Sequence, residues 1–240
     1  MTVLHLADET EAADLAAFLS RLLHYDRGAA VRLQAAGTAL AVFGRPPSFE
    51  VLAIRAVRLA KPYERGLDVT LDVTVSAGEL LESVDEKAAT AAVPAAVTGP
   101  PWAGVLPPRG GWRREPGLPH PAELHALVGA AVTEFRTRTG QLPPEQRTRA
   151  ELDRIGGEIW SRTVGETRLP VRAVHAAQSF GFLRPPAAGT GDPDGVDDGF
   201  GLFSSGAWLR LRTPYGSVAV RVGGSTPGLG GLGSLAVSVR

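Results

Sequence analysis

Five histidines are the only side chains here that ordinarily titrate near neutral pH: His5, His24, His120, His125 and His175. His120 and His125 stand five apart, off the i, i+4 face that brings two imidazoles to one metal, and no H-E-x-x-H occurs. His175 lies in an apolar stretch and reads as a hydrogen-bonded core histidine. The chain has no cysteine. Thiol nucleophiles, Cys-ligated zinc, iron–sulfur sites and disulfide frameworks are therefore excluded. No G-x-S-x-G elbow prepares a serine for attack. An enzyme with a site dispersed along the chain would leave no such local signal, and it stands third among the readings.

Two glycine- or aspartate-rich runs imitate known sites. Gly228, Gly230 and Gly233 match G-x-G-x-x-G, but a dinucleotide site needs that loop to open a helix, and the residues after Gly233 read as a strand. Asp192, Asp194, Asp197 and Asp198 suggest calcium, yet Val196 and Phe203 occupy positions where an EF-type loop places oxygen ligands. A solvated acidic loop fits better. No catalytic residue, cofactor or metal ligand is assigned.

Residues suited to binding are easier to find. Trp102 and Trp112 lie in a segment, 88–121, that holds eight prolines. Prolines at that density preclude regular helix or central strand. The segment is expected to be an ordered strap with both indoles docked on the body; the sharper alternative is a polyproline-type ligand for an aromatic groove. Arg136, Arg138, Arg147 and Arg149 fall on two predicted helices and could face an acidic partner or an acidic patch of another copy. A third set, Arg172, Gln178, Arg210, Arg212 and Arg221, is where a winged helix would read DNA, from its third helix and its hairpin wing.

Charge limits the partners. Twenty-five basic residues balance 25 acidic ones. Residues 1–107 carry 9 basic and 13 acidic groups, and 108–240 carry 16 and 12, so a net −4 half precedes a net +4 half. Such balance disfavours nucleic acid as an enveloping partner, and no apolar run approaches the ~18–20 residues of a membrane span. A cytoplasmic location is expected. All but Lys61 and Lys87 of the basic residues are arginine, as a GC-rich coding sequence would produce.

The elements that must position these residues follow from periodicity. Asp8 with Glu11 suggests a capping box, and Leu15, Phe18, Leu19, Leu22 and Leu23 form one helical stripe. The runs 29–43 and 207–222 read as hairpins; 48–60 is apolar on both faces and belongs in a sheet centre. Leu67 to Val75 alternate with polar residues as a half-buried strand, and Ser76 with Glu79 starts the next helix. Helices are predicted near 121–139, 144–163 and 170–181, then a mobile Gly/Asp loop over 185–206 and a last strand in 235–239.

In order, residues 2–59 are strand, helix and three strands; 67–87 are strand and helix; 207–239 are three strands. The expected architecture is therefore α+β: a duplicated βαβββ core (1–87 plus 207–240), a proline-rich strap (88–121), a three-helix insertion (122–184) and the loop 185–206. The hairpins share Arg32-Leu33 with Arg210-Leu211, glycine at 37 and 216, and Ala41-Val42 with Ala219-Val220. This order of elements resembles the domain of DNA sliding clamps, over about 120 of 240 residues. The resemblance implies two helices side by side on a curved sheet, lining DNA with basic residues. Here those helices carry Glu9, Glu11 and Asp14, and Glu79, Glu82, Asp85 and Glu86, which repel phosphates. The function expected is that of a non-enzymatic interaction or regulatory protein, with an unidentified protein partner or self-association; the alternative is the winged-helix DNA binder.

Overall fold

The computed structural model describes residues 2–60, 71–184 and 199–222. The fold is α+β. Its first elements are β1 (Val3–His5), α1 (Glu9–Tyr25), β2 (Ala30–Ala36), β3 (Ala39–Gly44), β4 (Leu52–Arg58), β5 (Asp72–Ser76), α2 (Ala77–Glu82), β6 (Val84–Asp85) and β7 (Thr90–Ala92). The segment 88–121 read as a strap thus includes β7 and, near its end, β8 (Arg113–Glu115); after it come α3 (Pro121–Gln141), α4 (Arg149–Trp160), α5 (Val171–Ser179), β9 (Gly201–Ser205), β10 (Trp208–Thr213) and β11 (Gly216–Arg221).

Eight strands form one antiparallel sheet in the order β5-β2-β3-β4-β11-β10-β9-β8. Two meanders, β2-β3-β4 and β9-β10-β11, meet at the β4–β11 seam, and one extra strand flanks each. The sheet thus repeats about its own centre, and the hairpin 208–221 shares it with β5, as the duplication requires. The sequence match sits one strand out of step with this symmetry. It pairs β2–β3 with β10–β11, whereas sheet position pairs β2 with β9 and β3 with β10. Any half-buried hairpin alternates apolar residues and favours glycine at its turn, so those matches describe hairpins rather than the repeat.

The second departure is β9. Composition places residues 201–205 in a mobile loop, yet they form a strand between β8 and β10. "GLFSS" is short and glycine-led, so its apolar pattern is faint; pairing on both sides supplies what propensity lacks. The G-x-G-x-x-G run, the four aspartates and the strand at 235–239 lie outside the described residues, as do Leu67 to Thr70.

Helices cover one face of the sheet. α1 packs over the first meander and α5 over the second, with α2 beside α1 and α3 and α4 stacked on α5. Leu15, Phe18, Leu19 and Leu22 of α1 and Ala173, Val174, Ala176 and Ala177 of α5 are buried in this main core. Asp8 caps α1 by accepting the Glu11 amide at 2.9 Å. The box is not reciprocal, because the Glu11 carboxylate turns to Arg55 and Arg58. Gly216 is required by packing: a Cβ there would stand 2.5 Å from the Phe182 ring.

Topology explains the strap. The first unit ends at the β5 edge and the second begins with β8 at the other. Eight strands give seven spacings, roughly 34 Å to cross. The 16 residues from Val97 to Trp112 reach up to about 53 Å when extended. They run over the face that the helices leave open, and proline there removes amides that no strand would pair.

Candidate functional site

Alternation along each strand decides what reaches the open face. In "WLRLRT" of β10, Leu209 and Leu211 enter the helical core, so Trp208, Arg210 and Arg212 point the other way. Cα pairing sets Arg114, Phe203, Arg210, Ala219 and Leu52 in one row across five strands. Trp208 stands opposite Arg221 in β11.

The strap covers the middle of this face. Phe43, Leu52, Ile54 and Ala219 form a small second core, on which Trp102, Leu106 and Trp208 pack. Arg32 ties the strap down, donating from Nη1 to the Ala103 carbonyl at 2.7 Å while its Nε holds Asp72 at 2.8 Å. That contact holds the Asp72 carboxyl below its usual range and raises Arg32. Trp112 donates its indole N–H to the Pro108 carbonyl at 3.0 Å.

Beyond the strap lies a cluster of cations. The Arg210 guanidinium stands 5.8 Å from the centre of the Trp112 ring, and Arg221 stands 5.8 Å from that of Trp208. Such contacts are weak individually but hold the arginines against flat apolar surfaces. Arg210 also donates from Nε to Ser217 at 2.9 Å. Burial, then the neighbouring Arg212, push the Arg210 guanidinium below its usual value. No carboxylate pairs with Arg210, Arg212 or Arg221 among the described residues. Two sets nominated for different reasons, the strap tryptophans and the hairpin arginines, therefore meet on one face. Trp208, Phe203 and Arg114 belong with them, and the period-two pattern of 208–212 was the signal that could have placed Trp208 there.

Other candidates lie elsewhere. Arg138 is engaged by Glu158 at 2.8 Å and Glu134 at 3.3 Å. Arg147 donates to the Leu142 and Gly140 carbonyls and so closes the end of α3. Arg149 lies 3.6 Å from Asp153 on the next turn. Arg136 alone of the four is exposed with no guanidinium partner among the described residues. Three of the four are therefore engaged within the helical region itself.

The winged-helix geometry is not adopted. α5 packs on β10 and β11 through Val171, Ala173, Val174, Ala176 and Ala177, and the supposed wing lies within the sheet, next to its β4–β11 seam. Arg172 lies 3.8 Å from Glu50, and the buried Oε1 of Gln178 meets no donor among the described residues. Ser179 ends the same helix. His175 is stacked on Trp160 at 4.7 Å and set edge-on to Phe49 at 5.1 Å; burial lowers its pKa.

The acidic face expected of α1 is largely neutralised within the fold. Arg55, 7% exposed, donates from Nη2 to Glu11 at 3.0 Å and Asp14 at 3.1 Å, and from Nη1 to the Tyr215 carbonyl at 2.7 Å. Arg184 grips both Asp14 oxygens and lies 3.8 Å from the Tyr215 ring centre. The network joins α1 to the second unit, and the cavity beside it, about 10 Å³, has room for one water. Glu79, Glu82, Asp85 and Glu86 remain exposed. Among the described residues no cluster of His, Asp or Glu could hold a metal, and no helix is long and apolar enough to cross a membrane.

Residues 1–104 match the model of a domain of unknown function (DUF8010), and residues 107–225 match that of another domain of unknown function (DUF8185). The division falls within the strap, between the two meanders. No curated protein and no solved structure matches the chain.

Proposed function

We propose that this is a non-catalytic interaction or regulatory protein, acting in the cytoplasm, that presents the strapped face of its sheet to an acidic protein partner. One observation carries the reading: Arg210, Arg212 and Arg221 share an open face with Trp112 and Trp208 and have no carboxylate partner among the described residues. An acidic segment laid across β10 and β11 would supply the missing anions, and the indoles would give it apolar support. A second copy is a candidate source, since Glu79, Glu82, Asp85 and Glu86 are exposed on the first unit.

The clamp-like character of the fold enters only as architecture. DNA sliding clamps, in the resemblance drawn from element order, would use the helical face; here α3 and α4 lie over α5, and the α1 acids are held by arginines. A single-stranded nucleic acid on the strapped face is the competing partner.

The test is a titration of the whole protein with a short polyglutamate peptide and, separately, with a single-stranded oligonucleotide of equal charge, across a range of salt. The reading expects saturable, salt-sensitive polyglutamate binding that shifts the amide resonances of β10 and β11. Tighter binding of the oligonucleotide on the same residues would favour the nucleic-acid reading. Absence of peptide binding at low salt would overturn the proposal. Sedimentation at low and high salt tests the second copy: a salt-dissociated dimer supports it, and a monomer throughout rejects it.

A further inference from the structure

A pocket of about 420 Å³ opens where the strap first leaves the sheet edge, lined by Asp26, Gly28, Arg45, Ser76, Pro100 and Trp102 among others. Its walls are chain ends. β2 begins there at Ala30, β3 ends at Gly44, β5 ends at Ser76, and the strap overhangs all three. The overhang is fixed: Val97 donates to the Thr74 carbonyl at 2.9 Å, and Arg32 holds the Ala103 carbonyl from below. A volume of this size falls within the ~300–1,000 Å³ typical of small-molecule sites.

The lining specifies a chemistry. Arg45 is the one cation of the lining; it is exposed, and its guanidinium has no ion pair or hydrogen bond among the described residues. The only carboxylate in the lining, Asp26, uses one oxygen to accept the Gly28 amide at 2.9 Å, so it serves its own turn. Ser76 accepts the Glu79 amide at the start of α2. Trp102 and Pro100 offer flat apolar surface, and Trp102 is braced behind by Phe43 and its neighbours in the second core. One free guanidinium beside a rigid aromatic wall suits a ligand with one anionic group and one planar apolar group.

The geometry points to a small-molecule site here, for a planar carboxylate or phosphate whose anion meets Arg45 and whose ring lies on Trp102. The site shares no arginine with the strapped face and does not depend on an acidic partner. Binding would stiffen the strap at its origin, because Trp102 is both pocket wall and anchor.

The experiment is a titration of the isotope-labelled full chain with phenylacetate, phenyl phosphate and the neutral phenylacetamide. Both anions are expected to shift the Gly28 amide, the Arg45 Nε–H and the Trp102 indole N–H. The amide should bind about tenfold more weakly or worse, as loss of a charge-assisted hydrogen bond implies. Arg45→Gln should weaken both anions by a similar factor while leaving the unfolding midpoint and polyglutamate binding unchanged. A preference between the two anions would identify the natural head group as carboxylate or phosphate. The assignment is overturned if no probe shifts these signals by ~10 mM, a concentration that would reveal even millimolar affinity. It is equally overturned if the neutral amide, or Arg45→Gln with the anions, binds as well as the original pair.

Discussion

The α3–α4 surface and the strapped face of the sheet are both rich in arginine, and they use it in opposite ways. On the helices, Arg138, Arg154 and Arg162 interlock with Glu134, Glu151 and Glu158. Helical geometry makes this easy, since residues three and four apart are neighbours and the chain can place an acid one turn from each base. On β10 the neighbours along the strand are i and i+2, and both are arginine. Cross-strand positions offer Phe203, Ala219 and Ser217, none of them anionic. Like charges then stand together with aromatic rings and the Ser217 hydroxyl beside them and no carboxylate among the described residues. Arginine content alone therefore identifies no binding surface; local compensation, set by the period of the element, separates the two.

A third group of arginines sharpens the contrast, because it is compensated and buried. Replacing Arg55 with Leu would remove the one buried cation of the network and leave Glu11 to Arg58 and Asp14 to Arg184, so a loss of about 3 kcal/mol is expected in urea unfolding. A loss below about 1 kcal/mol, the range of exposed pairs, would show that the network holds nothing together. Trp102→Ala should cost about 2 kcal/mol, since the indole is half-buried on the second core. The same substitution should make the amides of 97–106 exchange faster with solvent; unchanged exchange would mean that the strap is held without it.

Acid gives a smaller effect with a definite sign. Burial lowers the His175 pKa from the ordinary 6.5, so the unfolded chain takes up this proton more readily than the folded one. Its contribution is complete above 6.5 and declines as pH falls below that value. His175→Gln should flatten the decline between about pH 6.5 and 5; an identical slope in the variant would assign it to other groups. The smallest effect is expected at Arg138, whose partners are all on the surface. Arg138→Gln should leave the unfolding midpoint unmoved within error, and a clear shift would mean that the helical network carries more than surface pairs usually do.

How much of this was legible in the sequence depended on the range of each interaction. The Leu15-to-Leu22 stripe and the central place of β4 are local patterns that appear as expected, and Asp8 and Ser76 cap their helices, each accepting an amide without the reciprocal bond of the expected box. The seam between β4 and β11 joins residues more than 160 positions apart, and only the order of elements hinted at it. Arg55 meets Glu11 across 44 residues, so an acidic helix looked like a surface when its charges were already matched. On the strapped face, the alternation in 208–212 was readable, but the nearness of Trp112 to Arg210 was not, because no period relates a strap to the strand beneath it. The winged-helix order failed for a physical reason as well. A wing must stand clear of its helix, whereas β10 and β11 lie inside the sheet and Val171, Val174 and Ala177 are buried on the side of α5 that packs on them.

A paired comparison of charge-neutralised variants tests the distinction between the two surfaces most directly. Arg210→Gln, Arg212→Gln and Arg221→Gln combined, and Arg138→Gln, Arg154→Gln and Arg162→Gln combined, each remove three positive charges, so net charge is matched. Titrated with the same polyglutamate peptide at low salt, the first variant should lose about tenfold or more in affinity and bind with a shallower salt dependence, while the second binds as the original does. Equal losses in the two would mean that the peptide senses only overall charge, and the distinction between the two surfaces would fall.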